Sequence, residues 1–352
     1  MYLAVKEMKK NKGRFAMIIA IILLISYLVF FLSALADGLS NDKVSAINLW
    51  DSQYVVLEKD ANKNIMQSQV PLEEQEQFKA GDPQPLAIMR QSAFINEQKS
   101  VDDLKNIVVM GMPTDSTIFP ELIDGTLPKN AEEVVITKDL VDEENMKIGD
   151  EIHLAKGDEV YHVTGITPAA KYGNTPVIYG NLDLTNQLTH QSNNVNAFVL
   201  MNQEKPANDV DYQVLGMKEF IQKLPGYKAE QMTFTMMISF LIVISAIILG
   251  VFIFIMTLQK KTTFGIMKIQ GISSSYIGKS VMMQTLVTAI IGVLSGMILT
   301  LVTGMALPVA VPFKANPLNF AVMAVIMVVI SLAGALFSMR NVAKIDPIKT
   351  LG

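Results

Sequence analysis

The side chains best suited to chemistry are few in this chain and lie far apart. The 352 residues include three histidines and no cysteine. His153, His162 and His190 stand outside any H-E-x-x-H pattern, and no paired carboxylates accompany them. Zinc sites and hydrolytic centres need such ligands at fixed spacings. The pattern therefore predicts ordinary strand or surface histidines, and no built metal or hydrolytic site.

A second candidate for chemistry is similar to a phosphate-binding loop. Residues 271–280 read GISSSYIGKS and end in Gly-Lys-Ser, but six residues separate Gly271 from Gly278. A phosphate-binding loop has four residues between its glycines and follows a strand, which this segment does not. We therefore expect that the chain is not itself an enzyme and that any ATPase is a separate polypeptide.

Four long apolar runs determine the architecture. They cover Phe15–Leu35, Met232–Leu258, about Val281–Leu307 and about Leu318–Phe337. Each reaches the roughly 20 residues that a helix needs to cross a bilayer. None has an Asp, Glu, Lys, Arg or His in its interior, where each would cost about 3 kcal/mol. No proton relay is therefore expected within the membrane.

This spacing predicts an α-helical membrane protein with four transmembrane helices, one before and three after a large mixed α/β extracytoplasmic domain. The predicted segments are a cytoplasmic amphipathic segment 1–14, helix 15–36, the α/β domain 37–230, helix 231–258, a cytoplasmic loop 259–279, helix 280–307, a short outer loop 308–316, helix 317–338 and a cytoplasmic tail 339–352.

The charges of these segments predict their orientation. The N-terminal flank, the loop at Lys260 and the tail together carry a net charge of +10. Because the whole chain carries −4 and Lys314 adds one positive charge, segment 37–230 carries −15. Short cytoplasmic loops are enriched in Lys and Arg. Both termini and the loop at Lys260 are therefore predicted to be cytoplasmic, with the acidic domain outside the plasma membrane.

Within segment 37–230, short β-rich runs alternate with Gly, Pro, Asn and Asp clusters. Helical periodicity marks two further stretches. The predicted strands are Gln53–Leu57, Ile107–Met110, Val134–Thr137, Glu151–Leu154, Val160–Thr164, Val177–Tyr179 and Ala197–Met201, and the predicted helices are Lys138–Met146 and Met217–Leu224.

The first apolar run allows one alternative. Basic residues, an apolar stretch and then Ser33, Ala34, Leu35 and Ala36 are similar to a secretory signal with its cleavage site. The apolar stretch is longer than the usual core of about 7 to 15 residues, which favours a retained helix. A cleaved or stand-alone membrane protein without an ATPase remains the alternative.

Four segments carry a resemblance to a known family. AVKEMKKNKGRFAM at the start, VVITKDLVDEENMKIGDEIHL, FGIMKIQGISSSYI and NVAKIDPIKTLG at the end resemble the corresponding parts of the FtsX and MacB family of ABC transporter permeases. The resemblance implies a homodimer with two copies of an ABC ATPase subunit, which binds ATP and magnesium, and no nucleic acid partner. It also implies mechanotransmission, in which ATP-driven helix motion reshapes the outer domains.

In this family the loop after the second helix forms a coupling helix that binds the ATPase, which here corresponds to about Thr263–Ser275. An acidic residue often precedes its first glycine, and here Thr263 and Phe264 stand there instead. The sequence alone predicts a basic amphipathic segment whose apolar residues, Phe264 and Ile269 among them, face lipid or a partner. The residues matched to this role are Phe264, Gly265, Met267, Lys268, Gly271 and Ile272.

Two further segments, GLSNDKVSAINLWDSQYVVLEKDAN and GYKAEQMTFTMMISFL, resemble the HrtB-type permeases of Gram-positive bacteria, which expel heme from the membrane. That resemblance implies heme as a substrate and no covalently bound cofactor. Apart from a possible heme iron, no metal is expected. The alternative for each residue is ordinary packing or a place at the membrane interface. Candidate heme-binding residues are Trp50, Lys171, Tyr172, Glu230, Met232 and Met236.

Gly292 and Gly296 form a G-x-x-x-G pattern in the third run, which predicts a close helix contact within or between subunits. The acidic outer domain leaves open an alternative function, in which the complex senses antimicrobial peptides or controls an extracellular protein without small-molecule transport.

Overall fold

The computed structural model describes residues 2–95, 104–155, 159–190, 193–202, 211–308 and 310–343, with side chains from residue 6 to residue 336. The chain forms two compact units. Met1–Gly38 and Met232–Gly352 make up the helical unit, and Leu39–Gln231 make up the α/β unit.

Nine α-helices and thirteen strands are assigned in the described residues. The helices are α1 Tyr2–Lys10, α2 Lys12–Asn48, α3 Lys138–Glu144, α4 Leu182–Thr189, α5 Met217–Lys223, α6 Tyr227–Gln259, α7 Lys261–Ile269, α8 Ser274–Ala306 and α9 Pro317–Ala343. The strands are β1 Tyr54–Glu58, β2 Val70–Pro71, β3 Pro83–Ile95, β4 Leu104–Gly111, β5 Asp124–Gly125, β6 Glu133–Thr137, β7 Glu151–Leu154, β8 Val160–Thr167, β9 Lys171–Tyr172, β10 Thr175–Gly180, β11 Asn194–Val195, β12 Ala197–Leu200 and β13 Tyr212–Gly216.

Four of the helices, α2, α6, α8 and α9, are long and apolar enough to cross a membrane. They bury an apolar core among themselves, with Phe30, Val293 and Phe320 at its centre. The fold class predicted from the sequence is confirmed, because a mixed α/β unit lies between the first and second of these helices.

The helices extend beyond the apolar runs that identified them. Helix α2 continues to Asn48, and α6 begins at Tyr227, so both reach into the α/β unit. Helix α8 begins at Ser274, which makes the last part of the predicted loop 259–279 helical. Of the predicted tail, residues 344–352 lie outside the described residues.

The α/β unit is built on one large mixed sheet with strand order β13-β1-β12-β3-β4-β10-β6-β8-β5. Strand β7 joins β3 and β8, β9 joins β10, and β2 and β11 form a separate pair. Most neighbours are antiparallel, whereas β10 with β4 and β6 with β8 are parallel. One apolar core contains Trp50, Tyr179 and Phe220, and a second contains Ile107, Ile136 and Ile152.

All seven predicted strands and both predicted helices of this unit are confirmed, with shifts of a few residues at their ends. Strand β3 was missed, although it is the longest strand and contacts β12, β4 and β7. Its sequence PQPLAIMRQSAFI has proline at its first and third positions and a polar centre, so it lacks the simple alternation of a strand.

Candidate functional site

The α/β unit contains a compact cluster of charged residues where the end of α2 contacts β9. The Lys171 ammonium lies 2.8 Å from the Glu143 carboxylate, 3.5 Å from Asp42 and 3.8 Å from Asp139. The Lys171 side chain is only 12% exposed. One buried cation therefore joins α2, α3 and β9.

Backbone contacts hold the same junction. Ser45 of α2 accepts a hydrogen bond of 2.7 Å from the Lys171 backbone N–H, and the Gly173 N–H donates to the Lys43 carbonyl at 2.8 Å. Asp139 accepts a hydrogen bond of 2.6 Å from the Ala170 N–H. These bonds fix the backbone around β9 against the last turns of α2.

The pKa values of Asp139 and Lys171 are both raised, although burial and the neighbouring charges oppose each other at each residue. Burial raises the pKa of Asp139, against the lowering effect of Lys171 and of the Ala170 N–H. Burial alone would lower the pKa of Lys171, but the hydrogen bond to Glu143 and the three nearby carboxylates outweigh it and raise that pKa above 10.5. Lys171 therefore stays charged, as a counter-ion to its carboxylates.

Glu230, a candidate heme ligand, is held in a second ion pair of the α/β unit. Its carboxylate lies 2.5 Å from the Lys43 ammonium, and the two side chains are 22% and 9% exposed. One residue later, the Gln231 amide donates to the Ser40 hydroxyl at 2.8 Å. These contacts fasten the start of α6 to α2, and Glu230 therefore has a structural partner in this conformation.

Trp50 and Tyr172 lie in the core of the α/β unit. They are 0% and 2% exposed, and the Trp50 ring stacks on Phe220 with a centroid distance of 6.4 Å. Within the described residues, neither the indole N–H nor the phenol O–H has a hydrogen-bond partner. Burial raises the pKa of Tyr172, so the phenol stays neutral. In this conformation both aromatics are packed core residues, as the alternative for each candidate residue predicted. Neither ring offers an accessible face to a ligand.

Met232 and Met236 differ from the other candidates in being accessible. They are 56% and 55% exposed and belong to the helical unit. Because residues i and i+4 share a helix face, the two thioethers lie one turn apart on one side of α6. The structure thus provides two exposed methionine side chains, one turn apart, within the apolar surface of that helix.

The predicted coupling segment Thr263–Ser275 is not one helix. Helix α7 ends at Ile269, and Gly271 follows with a φ of +83°, a conformation that suits glycine. Ser273 then caps α8 by accepting a hydrogen bond from the Tyr276 N–H. The segment is therefore a short helix, a turn and the first residues of the next helix.

The expectation that Phe264 faces outward is wrong. Its side chain is 2% exposed and packs against Ile277 and Val281 of α8, because an aromatic ring gains more by burial in this apolar contact than by exposure. Gly265 is also buried, and Met267 and Ile272 border the same contact. The outer face of this segment is formed by Ile266, Ile269 and the partly exposed Lys268.

Gly292 and Gly296 of α8 contact α2 within the helical unit. A Cβ on Gly292 would lie 2.6 Å from the Ile22 side chain, and one on Gly296 would lie 2.9 Å from the Leu23 carbonyl. The close approach of the two helices allows the Ser26 hydroxyl of α2 to donate a hydrogen bond to the Gly292 carbonyl at 3.3 Å. The structure therefore places both glycines in a contact within one chain.

The histidines stand on ordinary elements of the α/β unit. His153 on β7 and His162 on β8 each approach the Glu151 carboxylate to 3.7 Å, and His190 follows α4 in a left-handed conformation. Among the described residues, no group of three metal-binding side chains is found.

The sequence did not reveal Asp42, Asp139 or Glu143 as members of the cluster around Lys171. Each is an ordinary charged residue in a polar stretch, and Lys171 lies more than one hundred residues from Asp42. No spacing signal connects them, because their proximity depends on how β9 folds back toward α2.

Comparison with known protein families identifies one part of the chain. Residues 235–347 match the FtsX-like permease C-terminal family, and they include α7, α8, α9 and most of α6. This part of the chain is an FtsX-like permease domain.

The similarity to particular proteins extends over the whole chain. The chain is 28% identical over 356 residues to HrtB of Staphylococcus haemolyticus, covering 100% of this chain and 99% of that protein. It is 29% identical to HrtB of Staphylococcus epidermidis, again covering 100% and 99%. Both relatives have a provisional name that describes them as the permease protein of a hemin transport system. The resemblance to FtsX-type ABC transporter permeases, and among them to HrtB, that the sequence predicted is therefore confirmed.

Two solved structures show distant similarity. The extracellular domain of YknZ from Gram-positive bacteria has a TM-score of 0.34 and 14% identity, covering 47% of this chain and 98% of that domain. The periplasmic region of MacB from Actinobacillus actinomycetemcomitans has a TM-score of 0.36 and 8% identity, covering 52% and 96%. Scores this low support no further argument.

Proposed function

We propose that this chain is the permease subunit of an ABC exporter that removes heme from the membrane, driven by a separate ATPase. The observation that carries the proposal is the similarity of the entire chain, both units included, to HrtB proteins. Two copies of the chain would assemble with two ATPase subunits in the plasma membrane. The chain supplies the path for heme, and the ATPase supplies the energy.

The α7 segment is the proposed input for that energy. Ile266 and Ile269 are 43% and 56% exposed, and Lys268 lies between them. A short helix with an apolar outer face and basic residues can bind both a partner groove and the headgroup region of lipids. Since Phe264 fastens α7 to α8, a displacement of α7 would be transmitted to the packed helices behind it. In the proposed mechanotransmission, the contact of Phe264 with α8 carries the movement of α7 to these helices.

Met232 and Met236 are the proposed points of contact with heme. Heme iron accepts thioether ligands, and the macrocycle requires apolar surface, which α6 offers around both sulfur atoms. Trp50, Lys171, Tyr172 and Glu230 act in this proposal as supports of the α/β unit, because their side chains are buried or ion-paired.

Heme titration of the purified complex tests the proposal. We expect a Soret band on binding and stimulation of ATP hydrolysis by heme. Replacing both methionines (Met232→Ala with Met236→Ala) should weaken heme binding about tenfold and alter the Soret spectrum, because two iron-binding or macrocycle-packing groups are lost.

Met305→Ala is the matched control, since Met305 is 86% exposed and lies on a different helix, at the end of α8. Equal effects of Met305→Ala and of the double replacement would contradict the assignment of the site. If heme changes neither the spectrum nor the ATPase rate of the parent complex, the heme proposal fails. Control of an extracellular protein or peptide, favoured by the acidic α/β domain, would then become the better account.

A further inference from the structure

Lys260 is the single residue between α6, which ends at Gln259, and α7, which begins at Lys261. Its backbone N–H donates to the Thr257 carbonyl at 3.2 Å, and its own carbonyl accepts from the Phe264 N–H at 2.9 Å. The joint between the transmembrane helix and the proposed coupling helix is therefore hydrogen-bonded on both sides. It contains no flexible linker that could absorb a movement of α7.

The Lys260 side chain turns inward and contacts three other helices. Its ammonium lies 3.3 Å from the Glu7 carboxylate of α1, 3.3 Å from the Gln284 amide oxygen of α8 and 5.6 Å from the centre of the Phe15 ring of α2. The Gln284 amide N–H donates to the same Glu7 oxygen. A closed triangle of Glu7, Lys260 and Gln284 thus connects α1, α8 and the α6–α7 joint.

The triangle is shielded from water. The Lys260 and Glu7 side chains are 11% and 19% exposed, and Gln284 is 4% exposed. A buried ion pair with its remaining hydrogen bonds satisfied is stable as a unit, whereas removing one partner leaves an unpaired buried charge. Glu7 is also the one acidic residue among the basic residues of segment 1–14. The Glu7 carboxylate pairs with the Lys260 ammonium in the triangle.

We propose that Glu7, Lys260 and Gln284 form a latch that makes helix α1 part of the coupling element, so that α1 moves together with α7. This inference rests on the proposed role of α7 as the input from the ATPase. In it, a push on α7 reaches α8 through Phe264 and Gln284, and reaches α1 through Glu7. The three residues are positioning residues, since they set the geometry of α7 without contacting the ATPase or the substrate.

Charge reversal in the full-length chain, co-expressed with its ATPase subunit, tests the latch. Glu7→Lys and Lys260→Glu should each lower the stimulation of ATPase activity by the permease about tenfold, because each leaves like charges in contact within a buried site. The double variant Glu7→Lys with Lys260→Glu should recover to within about threefold of the parent, since it restores opposite charges. Lys9→Glu on the exposed side of α1 is the matched control for a reversed lysine. Failure of the double variant to recover, with both singles impaired, would overturn the latch.

Cross-linking tests the latch even if the charge-reversal variants fail to fold. The parent chain has no cysteine, so Glu7→Cys with Lys260→Cys creates one defined pair. A short thiol cross-linker should join this pair in membranes, and ATPase stimulation should then be at least as high as in the same variant without cross-linker, because the linker replaces the lost ion pair and α1 and α7 move as one body. Loss of stimulation on cross-linking, restored by cleaving the linker, would show that α1 separates from α7 and would refute the proposal. Neither readout involves heme, so failure of the heme assignment leaves this test intact.

Discussion

At the scale of single residues, Lys171 shows how one side chain organises the α/β unit. Its ammonium lies among Glu143, Asp42 and Asp139, and its backbone is bonded to Ser45. Removing this cation would leave three carboxylates facing one another at a site that is largely closed to water. The residue therefore contributes to the stability of the unit that the proposed transport cycle must reshape.

We expect Lys171→Gln to lower the free energy of unfolding of the α/β unit by about 3 kcal/mol at neutral pH, because carboxylates in a buried site lose their counter-ion. The folded pKa of Lys171 is raised above 10.5. Its stabilisation is therefore complete below pH 10.5 and is lost as pH rises through the folded pKa, so the difference between parent and variant should shrink there. Trp50, the one tryptophan of the chain, is fully buried in this unit and reports its unfolding by fluorescence.

The control is Lys63→Gln, because Lys63 pairs with Glu219 at 2.7 Å with the two side chains 34% and 50% exposed. A surface pair of this kind contributes about 0 to 1 kcal/mol. Equal losses in the two variants would contradict a special role for Lys171, and so would a difference that stays constant at high pH.

At the scale of elements, the close packing of α8 on α2 depends on a small residue at position 296. A Cβ on Gly296 would lie 2.9 Å from the Leu23 carbonyl and 2.9 Å from the Tyr27 N–H, and closer still to the Ser26 hydroxyl. Because two of these neighbours are backbone atoms, they cannot move aside without shifting α2 itself. Helix α8 carries Gln284 and the surface that receives Phe264, so its position also determines that of α7.

We expect Gly296→Ala to destabilise the helical unit by about 1 to 3 kcal/mol, as is usual when a tight contact is overpacked. The measurement is the temperature at which the detergent-solubilised protein loses its monodisperse peak in size-exclusion chromatography. Gly250→Ala is the matched control, since a Cβ at Gly250 of α6 would meet nothing within 4 Å. A drop in melting temperature that is as large for Gly250→Ala would argue against the α2–α8 contact as the cause.

At the scale of the whole molecule, the distribution of charge predicts how the chain is oriented in the membrane. Segment 37–230 carries a net charge of −15, whereas the segments expected in the cytoplasm carry +10. Because basic loops are preferentially retained inside, we expect the α/β unit outside and α7 inside. This arrangement is required if α7 is to meet a cytoplasmic ATPase.

Because the parent chain has no cysteine, single cysteines can report this topology. We expect a membrane-impermeant maleimide to label Glu76→Cys in intact cells, since the Glu76 side chain is 79% exposed in the α/β unit. Gln270→Cys, exposed after the end of α7, should react only after the membrane is permeabilised. Labelling of Gln270→Cys in intact cells would reverse the predicted orientation and exclude the proposed ATPase contact.

The sequence by itself determined the four membrane helices, the position of the α/β unit between the first two, and most of that unit's strands. These features follow from the length and period of apolar residues, which are local properties of the chain. Strand β3 was not predicted, because its prolines and polar centre do not follow the pattern of a strand. It is a strand because it pairs with β12, β4 and β7.

Only the tertiary structure decided which polar groups meet. Glu7 and Gln284 lie 277 positions apart, and Lys43 and Glu230 lie 187 apart, yet each pair is in hydrogen-bond contact. The tertiary structure also buries Phe264 against α8 and places Trp50 and Tyr172 in the core of the α/β unit. The physical reason is that a hydrophobic run can stabilise a helix wherever it stands. A buried charge, in contrast, is tolerated only beside the particular partner that the fold brings to it.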